Sequence, residues 1–184
     1  MLTFTNLEKN KIKDFIKNTL KNANLEFEVR LTPQNNGISQ EDFVNVIKKI
    51  KSKSFKNVSV TEMSLDIYLK EYDSIRLTVH GDDNIGKYCH ENSIQNISDS
   101  IEYIDKTRFS IGKIETRPLD LRNYDLRVNL KEEKLLTDRN KTVQQIKAKL
   151  PQLHKAYRYK KRFSFISDDK LFKYDLTIIK SSNK

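Results

Sequence analysis

Tyr157-Arg158-Tyr159-Lys160-Lys161-Arg162-Phe163-Ser164-Phe165 alternates aromatic and polar residues with a period of two, broken once by Lys161. A β-strand sends successive side chains to opposite faces. Tyr157, Tyr159, Phe163 and Phe165 therefore share one face, and Arg158, Lys160, Arg162 and Ser164 share the other. Three like charges along one strand face repel each other. Water tolerates that arrangement, and a bound anion stabilises it.

The same alternation recurs on both sides of this stretch. Leu25, Phe27, Val29 and Leu31 oppose Glu26, Glu28 and Arg30. Residues 65–72 alternate, and Ile75, Leu77 and Val79 oppose Arg76, Thr78 and His80. Tyr124, Leu126, Val128 and Leu130 oppose Asp125, Arg127, Asn129 and Lys131. Phe172, Tyr174, Leu176 and Ile178 oppose Lys173, Asp175, Thr177 and Ile179. Each segment reads as a strand with one apolar face.

Helices fill the gaps. Thr5 with Glu8 three residues later forms a capping box for a helix over 6–22, with Ile12, Phe15, Ile16 and Leu20 as its apolar stripe. Ser39 with Asp42 opens a second, whose buried face is Phe43, Val46, Ile47 and Ile50. Shorter helices are predicted over 82–94 and 141–150, the latter stopped by Pro151. Residues 99–121 read as strand plus loops. No internal repeat and no domain boundary is visible, so 1–184 reads as one α+β domain dominated by a curved or closed antiparallel sheet.

Charged residues make up 33% of the 184, above the usual quarter, and the net charge is +10. That balance favours anionic partners such as RNA or nucleotides. Cys89 is the only cysteine, so no disulfide forms within the chain, and a reducing, cytoplasmic setting is expected. No apolar run approaches the length of a signal peptide or a membrane span, and no membrane partner is expected.

Two arrangements satisfy the strand pattern. One is a sheet with a solvated face. The other is a barrel whose lumen gathers the charges, because closing a sheet makes its inner faces converge. A divalent cation on the carboxylates and a polyphosphate on the basic groups would neutralise such a lumen.

The strand set resembles the triphosphate tunnel metalloenzymes, and most closely the RNA 5′-triphosphatase domains of capping enzymes from large DNA viruses. Leu25-Glu26-Phe27-Glu28-Val29-Arg30 is similar to the family's first glutamate strand. The 157–165 stretch is similar to its basic strand, and Lys173-Tyr174-Asp175-Leu176-Thr177 to the strand after it. The resemblance implies an eight-stranded antiparallel tunnel with helices outside. It implies Mg²⁺ or Mn²⁺ held by Glu26 and Glu28, and metal-dependent hydrolysis of the γ-phosphate of 5′-triphosphate RNA, the first step of mRNA capping. Arg76, Arg127, Arg158, Lys160 and Arg162 would grip phosphates, with Arg30 and Lys131 as further contacts. Asp175 would orient a basic side chain. Nucleoside triphosphates and inorganic polyphosphate are further expected substrates. A guanylyltransferase domain is expected downstream in the parent chain, and a viral factory or virion as its location.

The family also needs a second glutamate strand after the Asp-x-Thr strand. No second Glu-x-Glu occurs here, which implies a chain truncated before that strand and weakly active or inactive alone. Glu132 and Glu133 are candidates for a water-positioning base or for a solvated turn. A cysteine-phosphatase loop is excluded because Gln95, not arginine, follows Cys89 by six residues; Cys89 is expected to be a buried helix residue. No P-loop and no Lys-x-Asp-Gly occurs, and His80, His90 and His154 lack metal-ligand spacing. The alternative function is a non-catalytic RNA or polyphosphate module, with Tyr157, Tyr159, Phe163 and Phe165 stacking bases unless they pack in the core.

Overall fold

The capping box at Thr5 forms as the sequence predicts. The Glu8 amide donates to the Thr5 hydroxyl at 3.2 Å, and the Thr5 amide donates to the Glu8 carboxylate at 2.8 Å. These bonds satisfy two amides that a bare helix end leaves open. The structure is a computed structural model that describes residues 4–31, 38–53, 57–111 and 114–182. Its helices are α1 (Asn6–Lys21), α2 (Gln40–Lys51), α3 (Asp82–Glu91) and α4 (Lys141–Lys149). Its strands are β1 (Leu25–Leu31), β2 (Asn57–Leu69), β3 (Tyr72–His80), β4 (Ile101–Arg108), β5 (Ser110–Ile111), β6 (Ile114–Glu115), β7 (Leu119–Leu121), β8 (Leu126–Leu136), β9 (Lys155–Ile166) and β10 (Lys173–Ser181).

The fold is α+β, with eight antiparallel strands in the main sheet and β5–β6 as a separate hairpin. The chain divides into two compact units. The smaller comprises Met1–Ile38 and Asp105–Lys134, and the larger Ser39–Ile104 and Leu135–Lys184.

In the smaller unit β8 pairs with β1, Val29 opposite Val128, and with β7, Leu119 opposite Val128. Phe15 of α1 is buried there with Leu25, Leu121, Val128 and Leu130. The buried side of α1 is Ile12 and Phe15, while Ile16 and Leu20 are 42% and 83% exposed, against the predicted stripe. Each helical residue turns about 100° from the last, so position 16 sits well round from Phe15.

In the larger unit the strand order is β4-β3-β2-β9-β10. Its core gathers Leu65, Ile67 and Leu69 of β2 with Ile75, Leu77 and Val79 of β3, covered by Ile85 and Tyr88 of α3 and by Val143 and Ile146 of α4. Asn140 caps α4 through its side-chain oxygen, bonded to the Thr142 amide at 2.9 Å. A 3₁₀ turn through Pro151 ends that helix. Gly81 precedes α3 with φ of 83°, a left-handed value that favours glycine.

Four further expectations need correction. The second helix forms, but none of its residues is buried; Phe43 reaches Phe163 edge to face at 6.1 Å, while Val46 is 38% exposed. The 65–72 strand is interrupted at Lys70-Glu71, where the chain turns from β2 into β3. The 124–131 strand begins two residues late, because Asp125 adopts a left-handed φ of 50° after a 3₁₀ turn. Cys89 lies on α3 but is exposed, since that helix buries Ile85 and Tyr88 instead.

The aromatic face of β9 is committed to packing. Phe165 is buried, Tyr157 and Tyr159 pack against the larger core, and Phe163 meets Phe43. Leu77 is wholly enclosed in that core. Leu77→Ala is expected to lower stability by about 2–5 kcal/mol. Urea denaturation will show this as a lower midpoint at unchanged slope.

Candidate functional site

The polar faces of the strands carry the residues predicted to bind metal or phosphate. In the smaller unit, register sets Glu26 opposite Lys131, Glu28 opposite Asn129 and Arg30 opposite Arg127. Directly opposed residues of an antiparallel pair point to the same side, so these six form one polar patch. Lys106 of β4 adds a cation. Its ammonium lies 2.7 Å from the Glu26 carboxylate and also pairs with Glu133. Burial alone would pull the Lys106 ammonium down, but Glu133 and Glu26 outweigh it and hold it above the usual lysine range. Lys131 shifts the other way. Burial lowers it first, and the nearby Lys106 and Arg30 charges add to that.

Two predicted phosphate ligands already hold carboxylates. Arg127 grips Asp120 of β7 with two bonds, at 2.5 and 3.0 Å, and holds that carboxyl below its usual range. Arg30 lies 3.3 Å from Glu28, two residues back on the same strand. Asn129 is 3% exposed, and its amide nitrogen has no hydrogen-bond partner among the described residues. A buried donor left in this state costs about 1–3 kcal/mol. An incoming oxygen ligand would relieve that cost.

No group of three or more acidic, histidine or cysteine side chains suited to a metal occurs among the described residues. Glu26 and Glu28 nonetheless fit a hard divalent cation of the Mg²⁺ type, which takes one or two carboxylates and fills the rest of its shell with water and phosphate oxygens. The unpartnered Asn129 amide beside Glu28 suits the oxygen of such a ligand.

In the larger unit, register sets Arg158, Lys160 and Arg162 of β9 opposite Asp66, Ser64 and Glu62 of β2. Beyond β2, Asp66 faces Thr78 and Tyr68 faces Arg76 on β3. On the other side, Ser164 and Arg162 face Asp175 and Thr177 of β10. Thus Arg76, Arg158, Lys160, Arg162 and Asp175 share one sheet face. Asp175 accepts from the Ser164 hydroxyl at 2.6 Å and lies 3.7 Å from Arg162 and 3.4 Å from Lys173. The Arg162 Nε is buried with no hydrogen-bond partner among the described residues.

The face is drier than a solvated sheet surface. Ser64, Asp66, Thr78, Lys160 and Ser164 are all buried. The Lys160 ammonium lies 2.7 Å from the Asp66 carboxylate. Burial pulls Lys160 below the usual lysine range, Asp66 opposes that pull, and Arg162 and Arg76 reinforce it. A cationic row with one buried member, Lys160, flanked by hydroxyls, is suited to bind a multiply charged anion.

Sequence reading missed Asp66, Tyr68, Lys106 and Asn129 as site residues. Asp66 and Tyr68 stand out of phase with Leu65, Ile67 and Leu69, which was a usable signal. Lys106 sits in a segment without alternation and gave none. Glu132 and Glu133 do not form a solvated turn; both lie inside β8, and Glu133 binds Lys106.

Lys106→Met removes the cation shared by Glu26 and Glu133. It is expected to lower stability in metal-free buffer by about 1–3 kcal/mol, the worth of hydrogen bonds to charged groups. Thermal denaturation should also show a larger upward shift on adding Mn²⁺ in the variant than in the wild type, because an added cation then replaces the missing one.

No family model matches this sequence, and no curated protein matches it. Among solved structures the chain is similar to the Mimivirus capping enzyme triphosphatase. Its monoclinic form gives a TM-score of 0.70 at 22% identity, over 98% of this chain and 82% of that one. Its triclinic form, at 1.65 Å, gives 0.69 at 22% identity over 99% and 82%. The RNA triphosphatase domain of a trifunctional mimivirus mRNA capping enzyme gives 0.68 at 22% identity over 98% and 81%. At this identity the likeness establishes a shared fold: the α+β, eight-stranded antiparallel architecture of a viral capping-enzyme triphosphatase.

Proposed function

We propose that this chain is an RNA 5′-triphosphatase domain that removes the γ-phosphate from 5′-triphosphate RNA with the help of Mg²⁺ or Mn²⁺. The observation that carries the reading is the basic face of the larger unit. Arg76 of β3 and Arg158, Lys160 and Arg162 of β9 share one sheet face across β2, with Lys160 buried among them, on a fold shared with a Mimivirus triphosphatase. Asp66 and Asp175 offset part of this positive charge, and a polyphosphate would supply the remainder.

In this reading Arg76, Arg158, Lys160 and Arg162 bind the phosphate oxygens and stabilise the charge that gathers on the transferring group. Asp175 orients Arg162. Glu26 and Glu28 hold the divalent cation, with Glu133 kept in place by Lys106. A divalent cation held there would supply positive charge and Lewis acidity to a phosphate oxygen. Water forms a new bond to that phosphorus as the bond to the bridging β–γ oxygen breaks. The products are inorganic phosphate and a 5′-diphosphate RNA end. Such an end is what a guanylyltransferase consumes, so a linked or partner guanylyltransferase fits the product. Nucleoside triphosphates and inorganic polyphosphate share the bound group and are proposed as further substrates.

The non-catalytic alternative loses its stacking surface, because the β9 aromatics are engaged in packing.

The test uses RNA with 5′-triphosphate and 5′-monophosphate ends. The chain should bind the triphosphate form more tightly and release phosphate from it slowly, and only with added Mn²⁺. Glu28→Ala should slow release by about 10²–10³, the size of effect seen when one charge-stabilising group is lost at an active site. Equal binding of the two RNAs, or release that Glu28→Ala leaves unchanged, would reject the proposal.

A further inference from the structure

Asp66 has no place in the clamp described above, yet it is the most buried charged group in the molecule's described parts, at 2% exposure. A carboxylate so enclosed is tolerated only when partners replace its water. Asp66 has three. Lys160 lies 2.7 Å from Oδ1, the Thr78 hydroxyl donates to the same oxygen at 2.9 Å, and the Tyr68 hydroxyl donates to Oδ2 at 3.3 Å.

Two of these contacts lead onward to the basic row. Lys160 is its central member. Tyr68 accepts a hydrogen bond from Arg158 Nη1 at 3.4 Å, and the Arg158 guanidinium lies 5.0 Å from the centre of the Tyr68 ring. A lysine stem is flexible and its ammonium is a point charge, so it needs a fixed partner to be held in one position. Arg158 is largely exposed and gains its orientation from the tyrosine.

We propose that Asp66 is the positioning residue of the phosphate-binding row, fixing the Lys160 ammonium directly and the Arg158 guanidinium through Tyr68. The proposal rests on the phosphate-binding reading and adds the device that orders it. Lys160 is faced by Asp66 and Ser64 from β2, by Thr78 and Arg76 from β3, by Arg158 and Arg162 along β9, and by Ile179 from β10. Among these groups Asp66 supplies the negative charge. It opposes the pull of burial and of two arginines, which together lower the Lys160 ammonium.

The sign of the pH effect follows. Asn at position 66 keeps the oxygen that Thr78 bonds but loses the charge, so Lys160 gives up its proton at lower pH. Affinity for a polyphosphate, which needs the ammonium, then falls off earlier as pH rises.

The experiment titrates tripolyphosphate into the 184-residue chain by calorimetry over a pH series that rises until the wild-type affinity falls. Asp66→Asn should shift the fall in affinity down by about one pH unit, and so weaken binding about tenfold on the alkaline side. Lys160→Arg, added to Asp66→Asn, should restore alkaline binding because a guanidinium stays charged. Tyr68→Phe should weaken binding by roughly two- to tenfold at every pH, the loss of one ordering hydrogen bond. It also tests the proposal if Asp66→Asn fails to fold.

If Lys160→Met weakens binding while Asp66→Asn follows the wild-type pH curve, the positioning role is wrong and the phosphate-binding reading stands. Wild-type affinity in Tyr68→Phe would likewise overturn the Arg158 arm. If Lys160→Met binds as tightly as wild type, the phosphate-binding reading falls, and the inference with it.

Discussion

The buried pair of Lys160 and Asp66 is the constraint on which the larger unit's chemistry depends. Two ionised groups withdrawn from water are costly, and removing one partner of such a pair typically costs about 3–5 kcal/mol. The 2.7 Å contact and the Thr78 hydroxyl on the same oxygen offset the penalty. What remains is an ordered cation on a sheet face with Arg76, Arg158 and Arg162 around it. Apolar packing on the opposite face, from Ile67 and Leu77 to Val143 and Ile146, holds the strands that carry these groups. Core and site are therefore two faces of the same strands.

The smaller unit shows the opposite polarity. There a lysine, Lys106, serves two carboxylates, and the acidic pair Glu26 and Glu28 is balanced by Lys106 and Arg30. Register opposes unlike charges at Glu26–Lys131 in one unit and at Arg158–Asp66 in the other, while the like pair Arg30–Arg127 is offset by Glu28 and Asp120. Asn129 and Arg162 are among the points at which the described partners leave a buried donor unmet. Such atoms are where an oxygen-rich ligand gains most from binding.

Much of this was legible in the sequence, for physical reasons. Strand faces follow from a period of two, so the apolar and basic sides of β9 and the acidic side of β1 could be read before any coordinates. The helix starts at Thr5 and Ser39 follow from side chains that accept the first free amides. Other features left no such mark. The β2–β3 turn at Lys70-Glu71 contains neither glycine nor proline. The left-handed residue that delays β8 is an aspartate, which tolerates that conformation but does not announce it. A single carboxylate such as Asp66 makes no pattern, and its importance appears only when strand pairing brings Lys160, Thr78 and Tyr68 to it. How much of a helix face is buried depends on what packs against it, which is why Leu20 and Val46 are more exposed than their periodicity implied.

The account's central claim is that the basic face built around Lys160 is an anion site. Nuclear magnetic resonance of the chain carrying ¹³C-labelled lysine tests it most directly, following each side-chain methylene next to the ammonium as tripolyphosphate is added. The Lys160 signal should move first and its titration midpoint should rise on binding, because a bound anion favours the charged form. A Lys160 signal that stays fixed while the exposed lysines of α1 and α2 shift would contradict the claim.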